Sequence, residues 1–498
     1  MHKSLLLRAA LFLFAGTFGA PSCGSGDLQQ VVVWQEDWLR GDLHMHTTWS
    51  DGWDDTATLI RLAESLDSKV LLAEHPEYEG NGLDFIAITD HRTVDVLSDP
   101  AWTSERLILI GGEEWGSSGH AGALGITEFV DHDPDEDGVT LEDVSGGAQA
   151  THAQGGLFSI NHPFLSNNPF PWDLRINDAI EVWNSGWALM SPSYTTELLD
   201  EWEAAHGLAN PLFRRAVQEQ RRGASFQALT YYEAMLARGV HVALVGGSDR
   251  HTLLLPGFPT TWVRAATPNV AGVIQGIRDR HTFVSRTPVA TQILLLVQTP
   301  DGGLYEMGDE IPVPAGGVEV KVSLHVGRGD RGLLRLVGGE AATSDAALTQ
   351  APLGSIVLEE DVIGNNFKVE LTLDVQPGGW LYPMVFDELV QPELTAEQAE
   401  QVRELAVNAV ATADEDFTGL ATMALDVIDL DIFFDASLCE PKDWEPNQMQ
   451  CMPQDLDGSG SFFVPDWIDR PLNVVVEDDL ITDWCMGAVG SAVRFVAE

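Results

Sequence analysis

Positive charge is the first thing this chain lacks. It has 27 Lys and Arg against 76 Asp and Glu in 498 residues, a formal net charge of -49. A surface that acidic repels phosphate backbones and anionic membranes, which excludes nucleic-acid binding as the main business. Cysteine is also scarce, with 4 residues and no Cys-x-x-Cys, so neither a zinc ribbon nor a dithiol redox motif is supported. No Gly-x-Ser-x-Gly elbow occurs, and covalent serine catalysis has no sequence support. No apolar run beyond the N-terminal region is long enough to span a bilayer, and no internal repeat is visible. What is present is an ordinary apolar fraction of 44%, sufficient for a folded core.

The first 23 residues read as a targeting segment. Lys3 and Arg8 precede a short apolar run, Ala9–Phe18, and then small or turn-forming residues lead to Cys23. The segment resembles a bacterial lipoprotein signal, although Ala20 and Pro21 depart from the usual lipobox. The expectation is export, with a membrane tether through a lipidated Cys23 or release into the periplasm or extracellular space. In such a compartment one disulfide is expected among Cys439, Cys451 and Cys485, either Cys439–Cys451 or Cys451–Cys485.

The remaining chain divides by texture. From Trp38 to Arg286 apolar runs (Gly41–Met45, Leu83–Thr89, Arg106–Gly111, Leu157–Ile160, Ala179–Trp183, Val240–Val245) alternate with helical patterns (Thr56–Leu66, Leu198–Ala205, Phe226–Arg238, Val270–Asp279). That rhythm predicts an α/β class with parallel strands and crossover helices. Residues 287–390 read as β runs broken by Gly, Pro and Asp, including Thr291–Val297, Val318–Val326, Gly332–Val337, Gly354–Leu358 and Asn366–Val375, and predict a small β-sandwich. Residues 391–498 contain an acidic amphipathic helix at Leu394–Thr412 and the three cysteines. Asp131–Asp143 reads as an acidic surface loop.

Polar residues with metal-ligand chemistry stand at the ends of the apolar runs. His44 and His46 are two apart, so a strand points both the same way, and Ser50-Asp51-Gly52 follows. Asp90-His91 ends the second run, and Glu113-Glu114 ends the third, with Gly119-His120 close behind. Asn161-His162-Pro163 and Gly247-Ser248-Asp249-Arg250-His251 end two more. Strand ends in α/β barrels share one rim, so these residues converge although they span two hundred positions. Six of the 14 histidines occupy such ends, and His2, His75, His132, His152, His206, His241, His281 and His325 do not.

Taken together, the motifs resemble the PHP (polymerase and histidinol phosphatase) superfamily over about Trp38 to Arg286, and in finer detail its CehA/McbA-type metallohydrolases. The finer marks are Glu181-Val182-Trp183-Asn184, the helix before Gly239 and Pro259-Thr260-Thr261-Trp262-Val263. The resemblance implies a distorted (β/α)7 barrel holding two or three divalent metals. Carried over, it gives His44, His46, Glu114 and Asp249 to a first ion, Glu114 with His120 and His162 to a second, and Asp51, His91 and His251 to a third. It prefers Glu114 to Glu113, which lies on the opposite side of the strand.

Nitrogen and oxygen ligands without thiolate suit Zn, Mn or Fe. Asp249 or His251 is the candidate proton carrier, and Asp90 is expected to orient an imidazole. Arg92, Arg250 and Asn184 are candidate substrate-binding residues. Trp49, Trp115 and Trp183 are read either as rim residues that would suit an aromatic or apolar leaving group or as core residues. Asp455, Asp457, Ser459 and Asp466, with Gly460 at the turn, match the oxygen spacing of a calcium loop without clear flanking helices. The expectation is an exported metal-dependent hydrolase of small-molecule esters, foremost phosphoesters. Carbamate or carboxyl-ester hydrolysis and a non-catalytic cell-envelope module are the alternatives.

Overall fold

Short runs such as Phe-Ile-Ala-Ile and Leu-Phe-Ser-Ile have no polar face, so they form strands buried on both sides. In the computed structural model they belong to a mixed α/β architecture. The described residues are 38–65, 82–387 (apart from 118, 137, 165–169, 171, most of 185–223, 252–255, 330 and 342–350), 439–442, 445–451 and 486–497. The leader with Cys23, the helix at 394–412, the calcium loop and Cys485 lie outside them, as does most of the helix at 198–205. Among the described residues no helix is long and apolar enough to cross a membrane.

Seven strands position the site: β1 (Trp38–Asp42), β2 (Phe85–Ile88), β3 (Ile108–Trp115), β4 (Ala121–Leu124), β5 (Leu157–Ile160), β6 (Ala179–Asn184) and β7 (Ala243–Gly247). They are hydrogen-bonded in that order. β1–β2–β3 and β5–β6–β7 are parallel, while β4 is antiparallel to both its neighbours. Past the end of β1, Met45 bridges in parallel to Arg250 past the end of β7. Asp249 N donates to His44 O at 2.9 Å and His46 N to Arg250 O at 3.0 Å. The ladder therefore returns from β7 to the extension of β1. On the other side β8 (Thr260–Arg264) pairs antiparallel with β1, and β9 (Thr282–Ser285) with β8.

Helices α1 (Thr56–Ser65), α2 (Leu141–Ala153), α3 (Ala224–Ala237) and α4 (Val270–Arg278) accompany these strands. α2 begins inside the stretch read as an acidic loop and takes up its last three residues, Leu141, Glu142 and Asp143. Its apolar pattern is thin, and a capping box replaces it as the start signal: Thr140 Oγ1 accepts from Asp143 N, and Asp143 Oδ2 accepts from Thr140 N at 2.8 Å. Val144 and Ala148 of α2 join a buried cluster with Trp115 and Phe158.

The large sheet does not stop at residue 287. β12 (Glu310–Val313), β14 (Arg331–Gly339), β15 (Ser355–Ile363), β17 (Trp380–Asp387), β20 (Met486–Gly490) and β21 (Val493–Ala497) belong to it, making fifteen strands. β20 lies between β17 and β9. A separate antiparallel sheet has the order β11 (Leu304–Glu306), β10 (Gln292–Gln298), β13 (Val318–Gly327), β16 (Phe367–Val375). β18 (Cys439–Lys442) and β19 (Glu445–Cys451) form a hairpin with Cys439 opposite Cys451.

Candidate metal centre

The site grows from the continuation of β1. Met45 is wholly buried among Leu59, Ile86 and Ile88, a burial that contributes about 1.5–3 kcal/mol. Alternation then points His44 and His46 to the opposite side. Asp42 locks the same junction, accepting from the backbone N of His44 at 3.1 Å, Ser248 at 3.0 Å and Gly257 at 2.8 Å. Burial pushes its carboxyl up to about 6, against these hydrogen bonds.

Glu114 is the hub. Its Oε1 lies 3.1 Å from His44 Nε2, 3.3 Å from His120 Nδ1 and 2.9 Å from His162 Nε2. Its Oε2 lies 3.4 Å from His46 Nε2 and 3.1 Å from His91 Nδ1. Asp249 Oδ1 is 3.2 Å from His44 Nε2 and 3.3 Å from His46 Nε2. Asp51 is 3.2 Å from His251 Nε2 and 3.5 Å from His91 Nε2. All nine residues singled out as ligands are thus brought together. Glu113 faces away from them and accepts from Val130 N at 2.8 Å.

The donor atoms fall into three overlapping groups, each within 4.8 Å: His44, His46, Glu114 and Asp249; His46, Asp51, His91 and His251; His91, Glu114 and His120. Ligands about 2.1 Å from a tetrahedral ion lie roughly 3.4 Å apart, close to many of the separations here. Nε2 of His46, Nδ1 of His91 and Oδ1 of Asp249 are buried without a hydrogen bond of proper geometry. These donors fit divalent cations. The electrostatics agree. Burial pushes the His46 imidazole down, but the carboxylates of Asp249, Glu114 and Asp51, 3.3, 3.4 and 3.6 Å away, outweigh it and hold it at about 10. Burial would raise Glu114 and Asp249, yet the surrounding imidazoles draw both well below the carboxylate range. The carboxylates thus favour positive charge at His44 and His46, while burial pushes the His91 and His120 imidazoles down.

Backbone strain marks the same loops, since His162 (φ 22°), Asp249 (φ 50°) and Arg92 (φ 49°) all have positive φ. The cluster opens on one side. The His251 side chain is 30% exposed and that of Asp51 11%, against 7% or less for the other seven.

The supporting residues differ in part from expectation. Asp90 touches no imidazole directly. Its carboxylate accepts from Thr47 N, Thr47 Oγ1 and Ser50 Oγ, each at 2.7 Å, and Ser50 Oγ is 3.4 Å from His46 Nδ1. Arg250 is buried against Asp54 at 2.6 Å. Asn184 is buried and donates to Glu181 at 2.9 Å and Asp249 at 3.2 Å. Arg92 donates its backbone N to Glu114 O at 3.1 Å. Of the three tryptophans, Trp115 and Trp183 are core residues, and Trp49 is 42% exposed with Nε1 donating to Asp99. Trp53, not singled out from the sequence, is 53% exposed beside Asp51, and its N donates to His251 O at 2.8 Å.

Two residues quoted in the motifs but given no role support the ligands. Asn161 donates to Glu114 Oε1 at 3.1 Å and accepts from Gly122 N. Glu181 lies 3.1 Å from His44 Nδ1. A carboxylate inside an otherwise apolar strand was the available signal for Glu181.

No family model matches the chain, and no curated protein matches it. Among solved structures, a two-domain protein from Bacteroides vulgatus ATCC 8482, containing a predicted PHP-like metal-dependent phosphoesterase, is similar at 15% identity and a TM-score of 0.33, over 72% of this chain and 92% of that one.

Proposed function

We propose that the protein is a metal-dependent hydrolase of the PHP type acting on small-molecule esters, foremost phosphoesters. The observation that carries this reading is the convergence of six imidazoles and three carboxylates, Glu114 among them, with donor separations that fit divalent ions. In this reading β1–β7 and the Met45–Arg250 bridge form the distorted barrel. His44, His46, Glu114 and Asp249 hold one ion, Glu114, His120 and His162 a second, and Asp51, His91 and His251 a third.

Divalent ions held there supply Lewis-acid activation of the phosphoryl oxygen and of water. The chain's own residues do the rest. Glu114 and Asp249 gather the imidazoles into one rigid set. His251 stands at the open edge with Nδ1 3.0 Å from the Asp249 carbonyl, which places the proton on Nδ1 and leaves the Nε2 lone pair to hold the third ion. Substrate enters beside His251 and Asp51, the exposed side of the cluster.

A second reading, carbamate or carboxyl-ester hydrolysis of the CehA type, is favoured by Trp49 and Trp53, exposed residues on either side of Asp51 in the chain, whose indoles suit an aromatic leaving group. Export with lipidation at Cys23 belongs to the same proposal, and intact mass of the membrane-extracted chain tests it. The decisive experiment measures metal content by ICP-MS on the purified protein beside a His44→Ala, His46→Ala double variant. Two or three ions per chain, reduced in the variant, are expected. Nitrophenyl phosphates against naphthyl carbamates then separate the two chemistries. No metal in either protein after Mn or Zn loading overturns the hydrolase and leaves a non-catalytic envelope module.

A further inference from the structure

Glu181 is a carboxylate in a strand whose six residues are all buried. A lone buried carboxylate is strongly unfavourable, so its surroundings must repay it. Both oxygens are committed to the candidate centre. Oε1 is 3.1 Å from His44 Nδ1. Oε2 accepts from the backbone N of His162 at 2.9 Å and from Asn184 Nδ2 at 2.9 Å. Asn184 Nδ2 in turn reaches Asp249 Oδ2 at 3.2 Å.

Two backbone features make this possible. In a regular strand, residues three apart face opposite sides. The register of β6 against β7 slips between Glu181 and Trp183, so that Glu181 pairs with Val245 and Trp183 with Gly246. The extra residue of that bulge turns Asn184 to the side of Glu181. Gly247 then leaves the space into which Glu181 and His44 approach, since a Cβ there would lie 2.7 Å from Glu181 Oε1 and 2.4 Å from His44 Cβ.

We propose that Glu181, braced by Asn184, is the positioning residue of the centre. It accepts the Nδ1–H of His44, which fixes the tautomer and aims the Nε2 lone pair at the space shared with Glu114 and Asp249. Through the His162 amide it also holds the turn that carries a second imidazole. A carboxylate behind a ligating imidazole raises its basicity and its affinity for metal. The inference rests on the metal-binding reading above.

The test is a Co(II) titration of the full chain, followed by visible absorption and competition with a chelator. Variants are Glu181→Gln, which cannot accept at both positions, and Asn184→Ser, which removes the brace. Asp178→Asn is the control: Asp178 also holds an imidazole and a backbone N–H, those of His152 and Phe158, but immediately before β6 rather than at the centre. Glu181→Gln is expected to weaken Co(II) binding about 10–100-fold and to alter the Co(II) spectrum. Asn184→Ser is expected to do so by a smaller factor, and Asp178→Asn to lower the melting temperature alone. If wild type takes up no Co(II), the metal-binding reading fails and this inference falls with it. If wild type binds while Glu181→Gln and Asn184→Ser match its affinity and spectrum, the inference alone is overturned. Should Glu181→Gln not fold, Asn184→Ser decides by the same criteria.

Discussion

Replacing Gly247 by Ala adds one methyl group at a crowded point of the centre. The new carbon would sit 2.4 Å from His44 Cβ, 2.7 Å from Glu181 Oε1 and 3.2 Å from His44 N. Carbon atoms rest at about 3.5–4.0 Å, so the end of β7 and the extension of β1 must part by roughly 1 Å. They are tied there by Asp249 N to His44 O at 2.9 Å, and both sides are buried. Overpacking of this kind costs roughly 1–3 kcal/mol of stability. A metal constellation tolerates displacements of about 0.5 Å, so affinity should fall about tenfold or more. Gly146→Ala is the matched control. Gly146 lies inside α2, and a Cβ there meets nothing within 4 Å. The same methyl group should therefore stabilise the protein by about 0.5–1 kcal/mol and leave metal binding unchanged. Urea unfolding and metal titration of the two variants check the pair. Gly247→Ala with wild-type stability and affinity would refute the steric argument.

Two further outcomes follow from the charges. Burial pushes the Glu113 carboxyl from 4.5 up to about 8, with the hydrogen bond from Val130 opposing. Across that window the folded chain holds a proton that the unfolded chain has released. Glu113's stabilising contribution is therefore complete below the lower value and is lost as pH rises through the upper one. Glu113→Gln lacks this titration, so wild-type stability should fall relative to the variant by about 1.4 kcal/mol per pH unit between those values. Parallel stability curves from pH 4.5 to 8 would contradict it. Metal should stabilise the fold by about 2.7 kcal/mol per site at a hundredfold excess over its dissociation constant, and chelation should reverse the gain. Thermal melts of wild type and of the His44→Ala, His46→Ala variant, with and without EDTA, check this; an equal rise in both would point to ions bound elsewhere.

The parts of the architecture visible in the sequence are those with local causes. Phe85–Ile88 and Leu157–Ile160 are short, mainly apolar runs bounded by polar residues, Ala179–Asn184 is apolar apart from Glu181 and Asn184, and all are strands. The site residues were visible for the same reason, because His, Asp and Glu at the ends of buried strands stand out against their neighbours. Ala121–Leu124 was missed because three small residues and one leucine give no period, and its antiparallel pairing with β3 departs from the expected parallel order. α2 was missed because its start is a cap rather than an apolar stripe. The join across residue 287 had no local signal, since β9 finds β20 through pairing of Ser285 with Ala488. The fixing of His44 by Glu181 depends on a bulge and a glycine that only the register exposes.

That join also sets a schedule for the nascent chain. The edge of β9 ends at Ser285, and the strand that covers it begins at Met486. Ser491 completes the seam, its hydroxyl accepting from Leu244 N at 3.2 Å and lying 2.7 Å from Thr282 Oγ1. At about 5–20 residues per second, translation leaves that edge uncovered for roughly 10–40 s. An unpaired edge is a template for pairing with other chains, and here it borders the strands that carry the metal ligands. Synthesis therefore passes through a stage in which the ligands of the centre have all been made while the sheet beside them remains open to association with neighbouring chains.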